Sequence, residues 1–309
     1  MKKVIVTGSN GLLGQKLIYN LLGKNNYVIH AVGKGENRIA KKDGYTYHDI
    51  DFTNKDAIQY VLRTVKPDVL INSGAMTNVD ACEKDKEGAW KANVLAVEYM
   101  IEELEKLKSP NYHPHFIHIS TDFVFDGENG PYRETDEPNP LSYYAKSKLA
   151  GEQVVTNSTL PWSIARTIII YGVVDGNQRS NLVLWVRNAL ANGQSINVIT
   201  DQYRSPTLSE DLAEGVVQIA ERGATGIYHL SGPETKSIWD LAVMIADFWK
   251  LDKSLMKPVT SAQLNQPAKR PPVTGFILDK AKADLGYNPR SFVEGLRFVD
   301  DQLKQISNS

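Results

Sequence analysis

The segment up to residue 22 constrains the fold more than any other part of the chain. An apolar run, Val4 to Val6, leads directly into a glycine-rich turn, Thr7 to Gly14, and a helical pattern follows over residues 12–22. The turn has the spacing G-x-x-G-x-x-G, a variant of the dinucleotide-binding fingerprint. Glycines allow a sharp turn there and let a pyrophosphate approach the backbone at the start of the helix. The order of strand, turn and helix therefore predicts a nucleotide-binding βαβ unit; the alternative is a glycine-rich turn without a ligand.

Short apolar runs alternate with helical patterns through the first two-thirds of the chain. Strands are predicted at 4–7, 27–32, 69–72, 115–120 and 162–171, and helices at 12–22, 54–66, 80–108 and 142–157. This alternation is typical of a parallel sheet covered by helices on both faces. We predict an α/β protein with a Rossmann-type, doubly wound parallel sheet and a smaller C-terminal substrate-binding cap.

The alternation weakens beyond residue 171, which sets the predicted domain boundaries. Helical patterns at 180–192, 210–222, 237–250 and 291–306 are separated by loops rich in Gly, Pro, Ser and Asn. We predict that residues 1–170 form the dinucleotide-binding domain and that residues 205–230 return to it. Residues 171–204 and 231–309 would then form the cap.

Composition excludes several classes of function for this chain of 309 residues. The 35 Lys and Arg residues balance 36 Asp and Glu residues, which gives a net charge of −1 and no basic field for nucleic acid. The one cysteine, Cys82, cannot form an internal disulfide or a multi-cysteine zinc site, and the six histidines have no metal-ligand spacing. No apolar run approaches the roughly 18–20 residues of a membrane-spanning helix. We therefore expect a cytoplasmic enzyme without a metal.

The segment after the second predicted strand bears on the choice of cofactor. Lys34 and Arg38 are positioned to meet a 2′-phosphate, which favours NADP(H), whereas Glu36 keeps NAD(H) open through the ribose 2′-hydroxyl. A solvated basic loop is the alternative. Asp51 and Phe52 precede the next helix and could border the adenine, but position alone does not decide this.

A tyrosine and a lysine on one helix suggest acid–base chemistry. Tyr144 and Lys148 lie one turn apart on the same helix face, and the helix follows a predicted strand that ends at Ser120-Thr121-Asp122. Reducing a ketone requires a hydride on carbon and a proton on oxygen. An ammonium about 4 Å away could lower the pKa of a phenol from about 10 to about 7. We predict that Tyr144 is the acid, that Lys148 tunes it, and that the Thr121 hydroxyl stabilises the developing alkoxide.

With these pieces, the chain resembles the extended short-chain dehydrogenase/reductase family, most closely its dTDP-4-dehydrorhamnose reductase branch. The segments that carry the resemblance include Thr7 to Gly14, Ser120 to Gly127, Tyr144 to Lys148, Asp201-Gln202, Ser205 to Thr207 and Arg270-Pro271. The resemblance implies catalysis by Thr121, Tyr144 and Lys148, and a supporting hydrogen-bond role for Asn93. The predicted cofactor-binding residues are Gly8, Asn10, Gly11, Leu12, Leu13, Gly14, Lys34, Arg38, Asp51, Phe52, Gly74, Ala75, Met76, Asn93, Tyr144 and Lys148. The predicted substrate-binding residues are Thr121, Asp122, Phe123, Ile169, Arg204 and Arg270.

Two predicted substrate-binding residues depart from the pattern of that branch. Ile169 stands where a tryptophan is usual, which should reshape the wall around the sugar. Arg204 stands where a glycine is usual and would suit a diphosphate or an acidic sugar substituent. The alternative for Arg204 is a pairing with a nearby carboxylate, and the alternative for Arg270 is a surface position in a proline-rich loop.

The predicted function is that of an NADPH-dependent reductase of a 4-keto nucleotide-diphospho-sugar. A nucleotide-sugar epimerase and a non-catalytic NADP-binding regulatory subunit remain as alternatives. A dehydratase is disfavoured because Phe123 occupies the place where the dehydratases of this superfamily have a glutamate. Pairing of the helical stretches 80–108 and 142–157 across a two-fold axis would give a homodimer.

Overall fold

The computed structural model describes residues 1–176 and 180–307. Its strands are β1 (Lys2–Thr7), β2 (Tyr27–Gly33), β3 (Tyr45–Asp49), β4 (Val69–Asn72), β5 (His115–Thr121), β6 (Trp162–Thr167), β7 (Ile170–Tyr171), β8 (Ile196–Ile199), β9 (Tyr203–Arg204), β10 (Thr207–Leu208), β11 (Gly226–His229), β12 (Lys236–Ser237) and β13 (Met256–Val259). Its helices are α1 (Leu12–Lys24), α2 (Lys55–Val65), α3 (Val79–Lys84), α4 (Lys86–Trp90), α5 (Ala96–Leu107), α6 (Tyr143–Thr156), α7 (Leu182–Ala191), α8 (Ser209–Arg222), α9 (Ile238–Phe248), α10 (Ser261–Leu264), α11 (Asp279–Leu285) and α12 (Phe292–Ser307).

Within the described chain, seven strands form one parallel sheet in the order β3-β2-β1-β4-β5-β6-β11. Helices α1 and α8 pack on one face through Leu17, Ile18 and Val216, and α2, α5 and α6 cover the other. Because both faces are covered, the central strands are buried along their whole length, as in β4 and β5. The predicted Rossmann-type fold is confirmed. The strand order reverses between β1 and β4, and the crevice at the carboxyl ends of these strands is where such sheets bind ligands.

A second apolar core lies beyond the sheet. Strands β8 and β13 pair in parallel, and α7, α9 and α12 contribute side chains such as Leu184, Leu241 and Leu296. The segment 207–229, which contains α8 and β11, packs against the sheet. Residues 276–287 do so as well, through Phe276 and Leu285, although the sequence assigned them to the cap. The predicted domain boundaries otherwise stay predictions.

Local backbone features explain where the observed helices and strands differ from the predicted ones. The predicted helix 80–108 is interrupted at Asp85, whose side chain caps α4 by accepting from Gly88 N, and by a π-helical turn at Lys91–Leu95. The predicted strand 162–171 breaks at Ile169, where φ is +27°. Strands β3 and β11 were not predicted, because β3 is only half-buried and β11 opens on a glycine. Within residues 1–176 and 180–307, no helix is both long enough and apolar enough to span a membrane.

Candidate active site

The glycine turn after β1 comes into close contact with the loop after β4, at the carboxyl ends of these two central strands. Gly8 has φ +67°, in the left-handed region that favours glycine, and a Cβ there would lie 2.8 Å from the Cα of Gly74. A Cβ at Gly14 would lie 2.2 Å from the carbonyl oxygen of Gly8. Glycine at position 8 therefore lets the turn after β1 approach the loop after β4, and glycine at position 14 lets helix α1 pack against the turn itself.

The start of α1 offers donors to an anion. Gly11 caps the helix without a side-chain hydrogen bond, so its first-turn N–H groups, beginning with Leu12, are available to a ligand. Leu13 faces the core and anchors the helix. The buried hydroxyl of Ser9, in the middle of the turn, has no hydrogen-bond partner. A glycine cradle, an uncapped helix start and an orphaned hydroxyl together fit a dinucleotide pyrophosphate.

Asn10 ties the loop after β2 to the glycine turn. Its Nδ2 donates to the carbonyl oxygen of Glu36 at 3.0 Å and to the hydroxyl of Tyr47 at 2.8 Å, and its Oδ1 accepts from Arg38 N at 2.9 Å. These bonds hold the backbone that carries Lys34 and Arg38, whose side chains are exposed. Asn10 thus acts on the predicted cofactor side through its neighbours' backbone.

The two residues predicted to border the adenine have defined contacts. Asp51 receives a hydrogen bond from Lys34 Nζ at 2.9 Å. Although burial raises the pKa of Asp51, the hydrogen bonds from Lys34 and Thr53 outweigh it and lower that pKa to about 2. Phe52 lies against the loop after β4, since a Cβ at Gly74 would be 2.9 Å from its ring.

Asn93, in the π-helical turn, connects the cofactor loop to α6. Its amide bonds the main chain of Met76 in both directions, at 2.9 and 3.1 Å, and donates to Ser147 Oγ at 2.9 Å. Ser147 in turn donates to the carbonyl oxygen of Tyr144 at 2.8 Å. Ala75 and Met76, half-buried beside Gly74, are thereby fixed relative to Tyr144.

Tyr144 and Thr121 meet at the carboxyl end of β5. Tyr144 lies in the first turn of α6, which Ser142 caps, and it lies beside the Thr121 side chain, which acts to lower the pKa of its phenol. Phe123 stands edge-on to the tyrosine ring at 6.0 Å. Burial, with the nearby Asp122, raises the pKa of Tyr144 well above 10. Tyr144 therefore carries its proton at neutral pH, the state required of a proton donor.

The side chain of Lys148 forms its hydrogen bonds with β5, whereas the sequence predicted that it would act on Tyr144. Its Nζ donates to the carbonyl oxygen of Ile119 at 2.7 Å and lies 3.3 Å from His118 Nε2. Burial lowers the pKa of Lys148 to about 8. The expectation that the Lys148 ammonium depresses the pKa of Tyr144 is not met, because desolvation of the phenol dominates.

Arg204 is the main difference on the predicted substrate side. The side chain is 1% exposed, its Nε lies 3.8 Å from Asp122 Oδ2, and its guanidinium carbon lies 5.4 Å from the centre of the Phe123 ring. Its remaining donors bond the main-chain oxygens of Tyr203, Pro271 and Pro272 and the side chain of Gln202. The predicted fork for a diphosphate is therefore committed within the protein, as the carboxylate-pairing alternative anticipated.

The other predicted substrate residues are Asp122, Arg270 and Ile169. The carboxylate of Asp122 also accepts from Thr121 and Thr274. Arg270 forms a two-point pair with Asp80, at 2.7 and 3.2 Å. Ile169 is half-buried, with a φ of +27° that is strained for a β-branched residue.

Sequence analysis missed the polar residues beneath the site. Asn72, Thr274 and His118 are buried and hydrogen-bonded to predicted site residues or to each other. For His118 a signal existed, because a histidine within a buried strand such as β5 needs a polar partner.

Comparison with known proteins gives consistent relatives over nearly the whole chain. Residues 1–305 match the RmlD substrate binding domain. The dTDP-4-dehydrorhamnose reductase of Aggregatibacter actinomycetemcomitans is 32% identical over 311 residues, covering 97% of this chain and 98% of that protein. Methionine adenosyltransferase 2 subunit beta of Bos taurus is 31% identical over 266 residues, 84% of this chain and 76% of that protein. The structure of a Bacillus anthracis dTDP-4-dehydrorhamnose reductase in complex with NADP superposes with a TM-score of 0.83 at 26% identity, covering 97% and 99% of the two chains.

Proposed function

The chain belongs to the RmlD substrate binding domain family, and we propose that it is an NADPH-dependent reductase of a 4-keto nucleotide-diphospho-sugar. The observation that carries this proposal is the position of a buried Tyr144, edge-on to Phe123 and beside Thr121, at the carboxyl end of β5. This end of the sheet also holds the glycine turn after β1. An acid and a cofactor cradle thus open into the same crevice.

The residues divide the chemistry between them. When bound, the nicotinamide cofactor supplies the hydride. Tyr144 donates its phenolic proton to the sugar oxygen, and the Thr121 hydroxyl, after turning its proton from Asp122 Oδ1, holds that oxygen by a hydrogen bond. Phe123, edge-on to Tyr144, shields the proton from water. The pair of Thr121 and Tyr144 accounts for reduction of a carbonyl without a metal ligand.

We propose NADP(H) as the preferred cofactor, with NAD(H) as the alternative. The exposed side chains of Lys34 and Arg38 are held beside the glycine turn by Asn10 and can reach a 2′-phosphate. The Bacillus anthracis relative bound to NADP supports this choice. Glu36, in the same loop, is the residue that would favour NAD(H).

The proposed substrate is nucleotide-linked, and dTDP-4-dehydrorhamnose is the first compound to test because two of the relatives are named for it. Since Arg204 is committed to internal partners, it no longer argues for a different sugar. Ile169, half-buried at the break between β6 and β7, remains the residue most suited to alter the fit of the sugar.

A regulatory subunit is the second candidate, because one relative at 31% identity is named as a subunit of methionine adenosyltransferase. Purified protein would be assayed for NADPH oxidation with a panel of 4-keto nucleotide sugars, and product would be counted against NADPH consumed. A reductase consumes one NADPH per sugar, an epimerase converts sugar without net oxidation, and a regulatory subunit binds NADPH without turnover.

Two further predictions concern the surroundings of the protein. We propose a homodimer through the helical stretches 80–108 and 142–157, where the partly exposed Trp90 offers apolar contact area. Light scattering on the purified chain tests this directly.

We also retain the prediction of a cytoplasmic enzyme, which fractionation of the native cell would test.

A further inference from the structure

A row of polar side chains crosses the buried sheet beneath the active site. Thr7, Asn72 and His118 occupy registered positions on β1, β4 and β5, and each is at most 1% exposed. Thr7 Oγ1 donates to Asn72 Oδ1 at 2.6 Å, and Asn72 Nδ2 lies 3.1 Å from His118 Nδ1. Polar groups at this depth are retained only when they are satisfied, so the row must be considered as a unit.

The two ends of the row are residues of the proposed site. At one end, the backbone N–H of Gly74, in the predicted cofactor loop, donates to Thr7 Oγ1 at 3.2 Å. At the other end, His118 Nε2 lies 3.3 Å from Lys148 Nζ. The row therefore connects the cofactor loop to Lys148 entirely through buried hydrogen bonds.

The protons on this row cannot be placed independently of one another. In the arrangement shown, Asn72 donates to His118 Nδ1, so the neutral imidazole carries its proton on Nε2, facing Lys148. That Nε2–H is satisfied only by an uncharged amine. An ammonium instead requires a lone pair on Nε2 and a proton on Nδ1, which then donates to Asn72 Oδ1 after the amide has turned over.

We propose that His118 is a positioning residue whose tautomer is coupled, through the amide of Asn72, to the charge of Lys148 and to the cofactor loop at Gly74. When Lys148 takes up one proton from solvent, the imidazole proton moves from Nε2 to Nδ1, and Nε2 accepts a hydrogen bond from the ammonium. Asn72 Nδ2 then donates to Thr7 Oγ1, and the Thr7 hydroxyl rotates so that its own proton points away from Asn72. Heavy atoms keep their places apart from the exchange of the amide oxygen and nitrogen.

The charged and titratable groups around Lys148 leave His118 as its direct partner. Glu152, on α6, favours the ammonium, but it is itself bound by Arg166 of β6 at 2.7 and 3.0 Å. Tyr144 lies one turn earlier on α6, where Asp122 and Cys82 raise its pKa, and Glu83 of α3 accepts from the backbone N–H of Tyr143. Among the described residues, His118 is the one titratable side chain within hydrogen-bond reach of Lys148 Nζ.

The coupling sets an expected pH range. Burial lowers the pKa of Lys148 to about 8, so both of its charge states are accessible near neutral pH. Burial and the lysine hold the pKa of His118 well below 6.5, so the imidazole stays neutral and can change only its tautomer.

Nitrogen-15 NMR of the histidine rings tests the coupling without any turnover. The full chain, labelled at histidine, is titrated from about pH 6.5 to about pH 9.5, the span centred on the Lys148 transition. The His118 signals are assigned by their loss in His118→Phe. We expect His118 to change from the Nδ1–H to the Nε2–H form near pH 8, and to remain in the Nε2–H form throughout in Lys148→Met.

His115 is a matched internal control in the same spectra. It lies on the same strand, is 7% exposed, and its Nε2 lies 2.7 Å from Ser163 Oγ, so that a hydroxyl and not a lysine is its hydrogen-bond partner. Its tautomer should not change over this range. A single His118 tautomer throughout the titration, or an unchanged transition in Lys148→Met, would overturn the proposal.

The role in the reaction rests on the proposed function, and a second measurement separates the two. In His118→Phe the ammonium loses its acceptor, so the high-pH fall in NADPH oxidation should move down by about one pH unit. His115→Phe should leave it in place. An unmoved profile in His118→Phe would overturn the positioning role. If the parent chain shows the tautomer change but no oxidation, the reductase proposal fails and the coupling stands.

Discussion

The glycine turn and the substrate wall are built by opposite means. The turn after β1 depends on the absence of side chains, since a side chain at Gly8 or Gly14 would collide with the backbone. The substrate wall, our name for the predicted substrate side at Asp122, Phe123, Arg204 and residues 270–274, is shaped by side chains from three separate segments. One region presents backbone donors to a ligand, whereas the other has most of its polar groups bound to each other.

The difference matters for how each region tolerates change. Burial raises the pKa of Asp122 and lowers that of Arg204, so each charge is penalised and depends on the other. The wall is therefore an interdependent unit of ionic and hydrogen-bonded groups. The glycine turn depends instead on local steric freedom, and Tyr144 stands between the two regions.

The largest expected effect is a loss of turnover when Tyr144, which stands between the two regions, is substituted. Tyr144→Phe removes the proton donor and keeps the ring against Phe123, so turnover should fall by about 10²–10⁴-fold. Dissociation constants for NADPH, measured in parallel, should change little. Tyr143→Phe, one residue earlier in α6, is the control and should keep its activity. Equal turnover in Tyr144→Phe and the parent would assign the acid to another residue.

The next effect tests the wall. Arg204→Met leaves Asp122 buried without its cation, which should lower the free energy of unfolding by about 3–5 kcal/mol. Arg270→Met breaks a more exposed pair with Asp80 and should cost about 1 kcal/mol or less. Urea denaturation of both variants measures the contrast. Equal losses would show that burial does not distinguish the two arginines.

A steric change tests the turn. A methyl group at Gly14 would press on the carbonyl oxygen of Gly8, an overpacking worth about 1–3 kcal/mol, so NADPH should bind about 10–100-fold more weakly in Gly14→Ala. Gly23→Ala, in the same helix, places its methyl group in open space and serves as the control. Calorimetric titration of NADPH gives both constants. Unchanged affinity in Gly14→Ala would mean that the cradle is not where the cofactor binds.

The smallest effect concerns cofactor choice. Lys34→Gln removes an exposed cation, so affinity for NADPH should fall by about 5–10-fold while affinity for NADH stays nearly constant. Lys41→Gln, in the same exposed stretch, should change neither constant. A parallel loss for both cofactors would place Lys34 away from the 2′-phosphate.

The same contrast explains what could be predicted from sequence. The strand, turn and helix at Thr7 to Gly14 are contiguous, so one motif predicts their geometry. The pairing of Arg204 with Asp122 joins residues 82 positions apart, which no periodicity or spacing reveals. The same holds for the row from Thr7 to His118, whose members come from three strands.

Two local details were also beyond the sequence patterns. The π-helical turn at Lys91–Leu95 lies within a sequence pattern that reads as one continuous helix. The sequence pattern did not predict it, because the turn is fixed by the hydrogen bonds of Asn93 to Met76 and Ser147. The positive φ of Ile169 is unexpected for a β-branched residue. Both features depend on tertiary contacts that override local preference.

Transfer of deuterium from NADPH that carries deuterium at both nicotinamide C4 positions tests the central claim most directly. The labelled cofactor is incubated with the parent protein and a 4-keto nucleotide sugar, and the sugar product is examined by mass spectrometry. A reductase that uses Tyr144 and Thr121 should place one deuterium on the sugar for each NADPH oxidised, and Tyr144→Phe should lose this transfer. Tight NADPH binding with no deuterium in any sugar, or sugar conversion without label, would contradict the account.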